Sequence, residues 1–151
     1  MIFRLYQPAD FNRLYAVEER CFEPPFRFPR GQMRRLVGCS QAATWIAEEH
    51  GQMTGFAIVE WTERRSGTTA YLQTIEVVPE ARGRGVGGQL LERCEEAALE
   101  AGAGRIGLHV EAANEVAIRL YETHGYRAAG RRENYYPQGR AALLYEKPLV
   151  A

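Results

Sequence analysis

The sequence predicts a mixed α/β domain whose central sheet is mostly antiparallel and is covered by helices. Three segments in the first half, Ala43–Glu49, Met53–Trp61 and Ala70–Val78, have the composition of strands joined by short turns. A long amphipathic segment and a further strand pattern follow, and this strand–helix–strand order implies one parallel pair with a right-handed crossover. The length of 151 residues and the hydrophobic content of 46% fit a single domain over residues 1–151.

The elements before these three strands are short. Ile2–Tyr6 alternates like a strand, and Asp10 is suited to cap a helix over Phe11–Arg20. Three prolines within Phe22–Pro29 predict a loop, although its three phenylalanines make it more apolar than a simple linker. A second short helix is expected over Gln32–Val37.

Two helices are predicted in the second half of the chain. Apolar residues recur at helical spacing from Val86 to Ala101, and Gly102 is typical of a helix end. Asn114 is suited to cap another helix, which reaches about His124. The remaining strands are expected over Arg105–Val110, Tyr126–Arg132 and Ala141–Glu146.

Charge and cysteine content argue against several classes of protein. The formal net charge of zero is unlike that of a dedicated nucleic-acid binder. Three unpatterned cysteines and three histidines are unlike a disulfide framework or a structural zinc site. No apolar run approaches the roughly 18 residues of a membrane span. We therefore expect a cytoplasmic protein without nucleic-acid or membrane partners, and the sequence leaves open whether it is a monomer or a homodimer.

A glycine-rich segment, Arg82-Gly83-Arg84-Gly85-Val86-Gly87-Gly88, joins the third strand to the long helix. Glycines let a ligand approach the backbone closely, and the free N–H groups at a helix start favour phosphate oxygens. Arg82 and Arg84 add positive charge suited to phosphate. The segment therefore predicts a phosphate-binding turn.

Other interpretations of this turn are weaker. A Walker loop requires a Gly-Lys-Ser/Thr ending, which the segment lacks. A dinucleotide fingerprint is matched by Gly83, Gly85 and Gly88, but that fingerprint normally opens the first strand–helix unit of its fold, and here three strands precede it. Glycines reduce the stability of a turn or helix, so a turn that bound no ligand would have this cost and no gain.

Arg82, Gly85 and Gly87 also match Q/R-x-x-G-x-G/A, the coenzyme A pyrophosphate motif of the GNAT acetyltransferases. The segment Val110–Tyr126 matches a second signature of that superfamily, V-x-x-x-N-x-x-A-x-x-L-Y-x-x-x-G-F/Y. With both signatures in order, the chain resembles this superfamily over most of its length. The second signature and Arg132–Pro137 are most similar to RimI-type N-terminal protein acetyltransferases.

The resemblance implies a GNAT-like sheet whose parallel pair splays at the cofactor site, with acetyl-CoA as acyl donor, an amine as acceptor and no metal. By the same resemblance, Tyr121 would protonate the leaving thiolate and Asn114 would contact the pantetheine arm. The main-chain N–H of Val77 would hold the acetyl carbonyl oxygen. Ile75 and the glycine turn would complete the cofactor contacts.

The general base is the main departure from the family pattern. RimI-type enzymes carry a glutamate where this chain has His109, and an imidazole is suited to proton transfer near neutral pH. Glu76 is a second candidate for the base. A further departure is Pro137–Ala142, which replaces an acidic Asp-Gly-x-Asp-Ala stretch. We therefore expect substrate selection near that loop to differ.

Each candidate residue also has a structural interpretation. Tyr121 is compatible with core packing, His109 with a neutral core histidine, Asn114 with an N-cap alone and Glu76 with an ion pair to an arginine. Three functions remain open at this point. The chain could acetylate a protein or peptide N-terminus or a small amine, such as an amino acid, polyamine or antibiotic, or it could be a non-catalytic acyl-CoA sensor.

Overall fold

The computed structural model describes residues 1–150, in which one sheet is flanked by helices. The strands are β1 (Ile2–Leu5), β2 (Ala42–Glu49), β3 (Gln52–Arg64), β4 (Gly67–Val77), β5 (Ala103–Glu111), β6 (Arg127–Arg132) and β7 (Ala142–Pro148). The α-helices are α1 (Phe11–Cys21), α2 (Arg30–Val37), α3 (Val86–Glu100) and α4 (Glu115–Thr123). All the helices and strands expected from the sequence are present, with ends that differ by a few residues.

The seven strands lie in the order β1-β2-β3-β4-β5-β7-β6. All neighbouring pairs are antiparallel except β4 and β5, which are parallel. The predicted fold class, a mostly antiparallel sheet with one parallel pair, is therefore confirmed. The position of β7 between β5 and β6 was not predicted, because local sequence patterns do not specify which strands pair over long distances.

The sheet separates two hydrophobic cores. Alternate residues of β3 point to opposite faces, so Phe56 belongs to one core and Ala57 to the other. On one face α3 packs through side chains such as Leu90, which is fully buried. On the other face α1 and α2 contribute fully buried Leu14 and Met33. Burial of each such side chain contributes about 1.5–3 kcal/mol.

The expected capping bond at the start of α1 is not formed. Asp10 occupies the N-cap position, but its carboxylate makes no bond to the backbone of α1. It instead accepts a hydrogen bond from the Gln7 N–H at 2.8 Å and forms ion pairs with Arg4 and Arg13. These contacts hold the pKa of Asp10 well below its usual range, chiefly through the Arg4 guanidinium. Asp10 therefore fixes the connection between β1 and α1.

The parallel pair separates partway along its length. Paired residues are Thr68 with Ala103, Ala70 with Ile106, and Tyr71 with Gly107. Beyond the last of these pairs, β4 continues to Val77 beside β3, and β5 continues to Glu111 beside β7. The divergence opens a gap between the two strands at their carboxyl ends.

We predict that Gly55→Ala destabilises the protein. Gly55 pairs with Val77, and a Cβ atom added at Gly55 would lie 2.5 Å from the Glu76 carbonyl oxygen. Relief of this overlap requires β3 and β4 to move apart, at a cost of about 1–3 kcal/mol. Urea denaturation measures the change. Gly104→Ala in β5 is the matched control, because its Cβ would meet no atom within 4 Å. Equal stability of the two variants would contradict the prediction.

Candidate active site

A cavity of about 980 Å³ lies at the gap between β4 and β5. Its walls come from both strands, from α4, from the α1–α2 loop (residues 22–29) and from the β6–β7 loop (residues 133–141). Four of the residues expected from the sequence line it, namely Ile75, His109, Asn114 and Tyr121. The fold therefore brings residues from β4, β5 and α4 to one site.

His109 is held in place by two aromatic neighbours. The Tyr71 hydroxyl lies 2.7 Å from its Nδ1, and the Tyr135 ring stacks on the imidazole with a centroid separation of 4.7 Å. Burial lowers the pKa of His109 below its ordinary 6.5, and the charge of Arg132 lowers it further. The imidazole is therefore neutral at pH 7. In the tautomer in which the Nδ1–H donates to the Tyr71 oxygen, Nε2 is the nitrogen left to accept a proton.

Tyr121 lies on α4 and is 8% exposed. Its ring packs at a tilt against Tyr126, with centroids 5.8 Å apart. Burial raises the pKa of the Tyr121 phenol well above its ordinary value of 10.0. The hydroxyl therefore keeps its proton at neutral pH, and it makes no hydrogen bond to another group of residues 1–150. Its proton is available to a molecule in the cavity.

The glycine turn presents free amides at the start of α3. Gly83 and Gly85 have φ angles of +77° and +79°, which favour glycine, and Gly85 is the N-cap of α3. The Arg82 N–H donates to Pro79, and the Gln89 N–H donates to the Gly85 carbonyl oxygen. Within the described chain, the N–H groups of residues 83–88 have no hydrogen-bond acceptor. This arrangement is suited to an anionic oxygen.

The two arginines of the turn contact protein groups. The Arg82 Nε donates to the Val77 carbonyl oxygen at 2.8 Å, and Arg84 forms an ion pair with Glu49 at 2.9 Å. The Arg84 charge is therefore partly neutralised by a partner on β2. The free backbone amides of the turn are therefore better placed to bind an anion than these two side chains are.

The start of α3 lies close to α4 and β4. A Cβ atom at Gly87 would lie 3.5 Å from Leu120 and 3.9 Å from both Ile75 and Val77, and one at Gly88 would lie 3.1 Å from His124. The Val86 side chain is 3% exposed, in the core between α3 and the sheet. The glycines therefore bring the first turn of α3 against the end of β4.

The backbone of Val77 faces the gap. The Val78 N–H donates to the Thr54 carbonyl oxygen at 2.9 Å, so Val78 and Thr54 form a hydrogen-bonded antiparallel pair. The next pair, Gly55 and Val77, is then a non-hydrogen-bonded one, and the Val77 N–H points away from β3. The same alternation turns the Ile75 N–H towards the gap. Two backbone donors thus lie along this edge of β4.

Asn114 caps α4. Its side-chain oxygen accepts a hydrogen bond from the Ala117 N–H at 3.1 Å, and the residue also lines the cavity. The predicted N-cap is confirmed, and its location allows a second contact with a bound molecule.

Glu76 lies on the other side of the sheet from Ile75 and Val77. It is 2% exposed, and it accepts a hydrogen bond from the Thr74 hydroxyl at 2.8 Å. The structural interpretation of Glu76 as the partner of an arginine is not borne out, since the neighbour of its carboxyl group is the Glu18 carboxyl group of α1. Glu76 is not among the residues that line the cavity. Its role as a base stays a prediction that this placement does not favour.

Two aromatic residues at the site were not singled out from the sequence. Tyr71 and Tyr135 contact His109 from β4 and from the β6–β7 loop. Tyr71 lies opposite Gly107, two residues before His109, so the two side chains share a face of the parallel pair. Local sequence offered no signal for Tyr71, because its proximity to His109 depends on the register of β4 against β5.

The described residues contain neither a metal-binding cluster nor a membrane-spanning helix. No group of three or more His, Cys, Asp or Glu side chains in residues 1–150 is placed to hold a metal ion. Within the same residues, no helix is long and apolar enough to cross a membrane.

The model of the GNAT acetyltransferase family matches residues 11–126, and the chain belongs to this family. An uncharacterised protein of Mycobacterium leprae (strain TN) is 32% identical over 134 residues, which are 89% of this chain and 36% of that protein. The chain thus spans about a third of the length of this relative.

Solved structures with a similar fold include the following two. The ribosomal-protein-S18-alanine N-acetyltransferase of Escherichia coli has a TM-score of 0.86 and 25% identity, with coverage of 99% of this chain and 94% of that chain. Naa50 of Arabidopsis thaliana, in complex with the bisubstrate analogue CoA-Ac-MVNAL, has a TM-score of 0.83 and 22% identity, with 97% of each chain covered. At 22% identity, the similarity to Naa50 shows a shared fold and nothing about function.

We predict that Arg132→Gln raises the pKa of His109. The substitution removes a positive charge that disfavours the imidazolium ion, and it leaves the ring in its place. NMR titration of the imidazole between about pH 5 and pH 8 measures the pKa. Arg127→Gln on the same exposed strand is the control and should leave the pKa unchanged. An unaltered pKa in Arg132→Gln would contradict the electrostatic argument.

Proposed function

We propose that this protein is an acetyl-CoA-dependent N-acetyltransferase whose acceptor is the α-amino group of a protein or peptide N-terminus. The observation that carries the proposal is the pairing, in one cavity, of the neutral His109 imidazole with the protonated Tyr121 hydroxyl. Acetyl transfer from a thioester to an amine needs one group that accepts a proton and one that donates a proton. The family to which the chain belongs supports the same reaction.

The residues around the gap fit coenzyme A. Free amides at residues 83–88 would hold the diphosphate at the N-terminus of α3. The Ile75 N–H offers a further backbone donor to the bound cofactor along the same edge of β4 as the Val77 N–H. Asn114 lies at the cavity wall beside that path. These contacts would bring a thioester to the end of β4.

The acceptor side of the cavity is wide and aromatic. The α1–α2 loop contributes Phe22, Phe26 and Phe28, and the β6–β7 loop contributes Tyr135 and Tyr136. A volume of about 980 Å³ is large for a small amine alone and has room for the first residues of an extended peptide beside the donor thioester. The bisubstrate analogue bound to Naa50 joins coenzyme A to a peptide in a similar fold.

Each reactive group then has a defined task. Acetyl-CoA supplies an acetyl group activated as a thioester. The Val77 N–H donates to the carbonyl oxygen as negative charge develops there. The amine nitrogen bonds to the carbonyl carbon, and Nε2 of His109 accepts the proton that the amine loses. The carbon–sulfur bond breaks, and the Tyr121 hydroxyl protonates the sulfur. Tyr71 and Tyr135 keep the imidazole in place.

We predict that His109→Gln lowers kcat/KM by about 100-fold or more, because a glutamine amide does not accept a proton from the amine. Thiol release from acetyl-CoA in the presence of a peptide measures the rate. His50→Asn is the control, since His50 lies in the exposed β2–β3 turn at a φ of +52°, which asparagine tolerates. A change of less than threefold in His109→Gln would exclude the imidazole as the base.

The activity should also fall as the pH decreases. The pKa of His109 lies below 6.5, so the imidazole becomes protonated, and unable to act as a base, only in acid. The acidic inflection of kcat should coincide with the pKa of His109 measured by NMR titration, and an inflection at another pH would point to another base.

We predict that Tyr121→Phe lowers kcat by about 100-fold with little change in the affinity for acetyl-CoA, because only the proton donor is removed. Tyr145→Phe is the matched control. Tyr145 is also buried, but its hydroxyl donates to Glu122 at 2.9 Å and it does not line the cavity. Equal losses in both variants would indicate a packing effect.

A panel of acceptors tests the whole proposal. It contains Met-Val-Asn-Ala-Leu, the same peptide with Ala, Ser, Gly or Glu at the first position, their Nα-blocked forms, free amino acids and spermidine. Mass spectrometry should detect acetylation of free peptide N-termini only. Acetylation of the free amino acids or spermidine, and of no peptide, would exclude a peptide N-terminus as the acceptor. Binding of acetyl-CoA without any transfer would indicate a sensor, and thermal stabilisation by NAD but not by acetyl-CoA would overturn the donor.

A further inference from the structure

Two buried glutamates have no task in the reaction described above. Glu18 of α1 is 0% exposed and Glu76 of β4 is 2% exposed, and the Glu18 carboxyl group lies close enough to raise the pKa of Glu76. Isolated carboxylates are rarely buried unless a cation or several donors satisfy them. The hydrogen bonds of this pair therefore identify its protonation state.

Each carboxyl group has one satisfied and one unsatisfied oxygen. Glu18 Oε2 accepts a hydrogen bond from the Phe28 N–H at 2.9 Å, and Glu76 Oε2 accepts one from the Thr74 hydroxyl at 2.8 Å. Glu18 Oε1 and Glu76 Oε1 are buried and have no hydrogen-bond partner in the described chain. A single proton on one of these two oxygens makes it a donor to the other. The one proton satisfies both oxygens and removes the repulsion of two buried charges.

The surroundings offer no competing charge. Phe56 and Ile58 of β3 are fully buried in the apolar core on this face of the sheet. Cys21 is the other titratable group of α1 near the pair, and burial raises the pKa of its thiol, so it stays uncharged. The Arg82 guanidinium is directed to the Val77 carbonyl oxygen and to Cys21 Sγ, and it bonds to neither carboxyl group.

The pair connects two walls of the cavity. Both backbone groups of Phe28 are held by α1, since Glu18 accepts from its N–H and the Tyr15 hydroxyl donates to its carbonyl oxygen at 2.7 Å. Phe28 belongs to the α1–α2 loop and lines the cavity, and so does Thr74 of β4. The carboxyl–carboxyl contact therefore joins the α1–α2 loop to β4 through two side chains.

We propose that Glu76 carries a proton that it shares with Glu18 in a hydrogen bond, and that the two act as positioning residues that hold the α1–α2 loop against β4 in the conformation that binds the acceptor. The last clause rests on the proposed function, whereas the shared proton and the anchoring of the loop do not. Neither residue touches the reacting atoms.

The shared proton makes stability depend on pH in a defined direction. Burial and the Glu18 carboxyl group raise the pKa of Glu76 well above its ordinary 4.5. The folded protein therefore retains a proton that the unfolded chain releases above its ordinary pKa. The stabilisation is complete below that ordinary value, and it decreases as the pH rises towards the raised pKa of the folded state.

The first experiment compares thermal unfolding of the wild type and Glu76→Gln between about pH 5 and pH 9. The glutamine amide donates to Glu18 without taking up a proton, so the Tm of this variant should decrease less with rising pH than that of the wild type. Glu19→Gln, at an exposed neighbour on α1, is the control and should follow the wild type. Parallel curves for all three proteins would overturn the shared proton.

The second experiment tests the anchoring of the loop with Glu18→Ala and Glu18→Gln. Hydrogen exchange of residues 22–29 should be faster in Glu18→Ala by about tenfold, and Glu18→Gln should restore slow exchange because it keeps an acceptor for Phe28 and a donor for Glu76. Unchanged exchange in Glu18→Ala would overturn the anchoring. If that variant does not fold, Tyr15→Phe frees the Phe28 carbonyl oxygen and leaves the glutamate pair intact, and faster exchange of the same loop is again expected. Unchanged exchange in Tyr15→Phe would then overturn the anchoring.

Kinetics separate a positioning role from a general loss of structure. In Glu18→Ala the KM for Met-Val-Asn-Ala-Leu should rise by about tenfold with the KM for acetyl-CoA unchanged, and Glu18→Gln should restore it. An equal rise of both KM values would overturn the positioning role. If the wild type acetylates no peptide, the proposed acceptor class fails, and pH-dependent unfolding and hydrogen exchange still decide the inference.

Discussion

The separation of β4 from β5 beyond the Tyr71–Gly107 pair is the constraint on which the rest of the site depends. A parallel pair that continued would use the backbone donors of Ile75 and Val77 in the sheet. Because the strands part, those N–H groups face the gap, where Ile75 lines the cavity, and the helix that follows the glycine turn begins against the same end of β4. The continuous pairing of β3 with β4, and of β5 with β7, maintains the gap without leaving either strand at a free sheet edge.

Sequence reasoning succeeded where the signal is local. The first three long strands, the amphipathic α3 and the Asn114 cap each depend on residues within one turn or one strand, and each is present. The crossover between β4 and β5 was predictable too, because a strand–helix–strand unit permits few connections. The glycine turn was recognised from its spacing, and the structure places its amides free at the start of α3.

Contacts between distant residues were not predictable in the same way. Tyr71 and His109 are 38 positions apart, and their hydrogen bond depends on the register of the parallel pair. An ion pair with an arginine was one interpretation of Glu76, and a buried carboxylate often has a cation as its partner. The structure satisfies it with a hydroxyl and a second carboxyl group, an arrangement that depends on how α1 packs on the sheet.

Burial sets the protonation of both proposed reactive groups in the required direction. Desolvation disfavours the charged form of any group, which is the imidazolium for His109 and the phenolate for Tyr121. The same apolar surroundings therefore keep the imidazole unprotonated and the phenol protonated at neutral pH, although they also make His109 a weaker base and Tyr121 a weaker acid than the free groups. The aromatic loops that close the cavity thus contribute to the proposed chemistry as well as to acceptor binding. An opening of the α1–α2 loop would admit water and weaken both effects, which links the anchoring of Phe28 by Glu18 to the reactivity of the site.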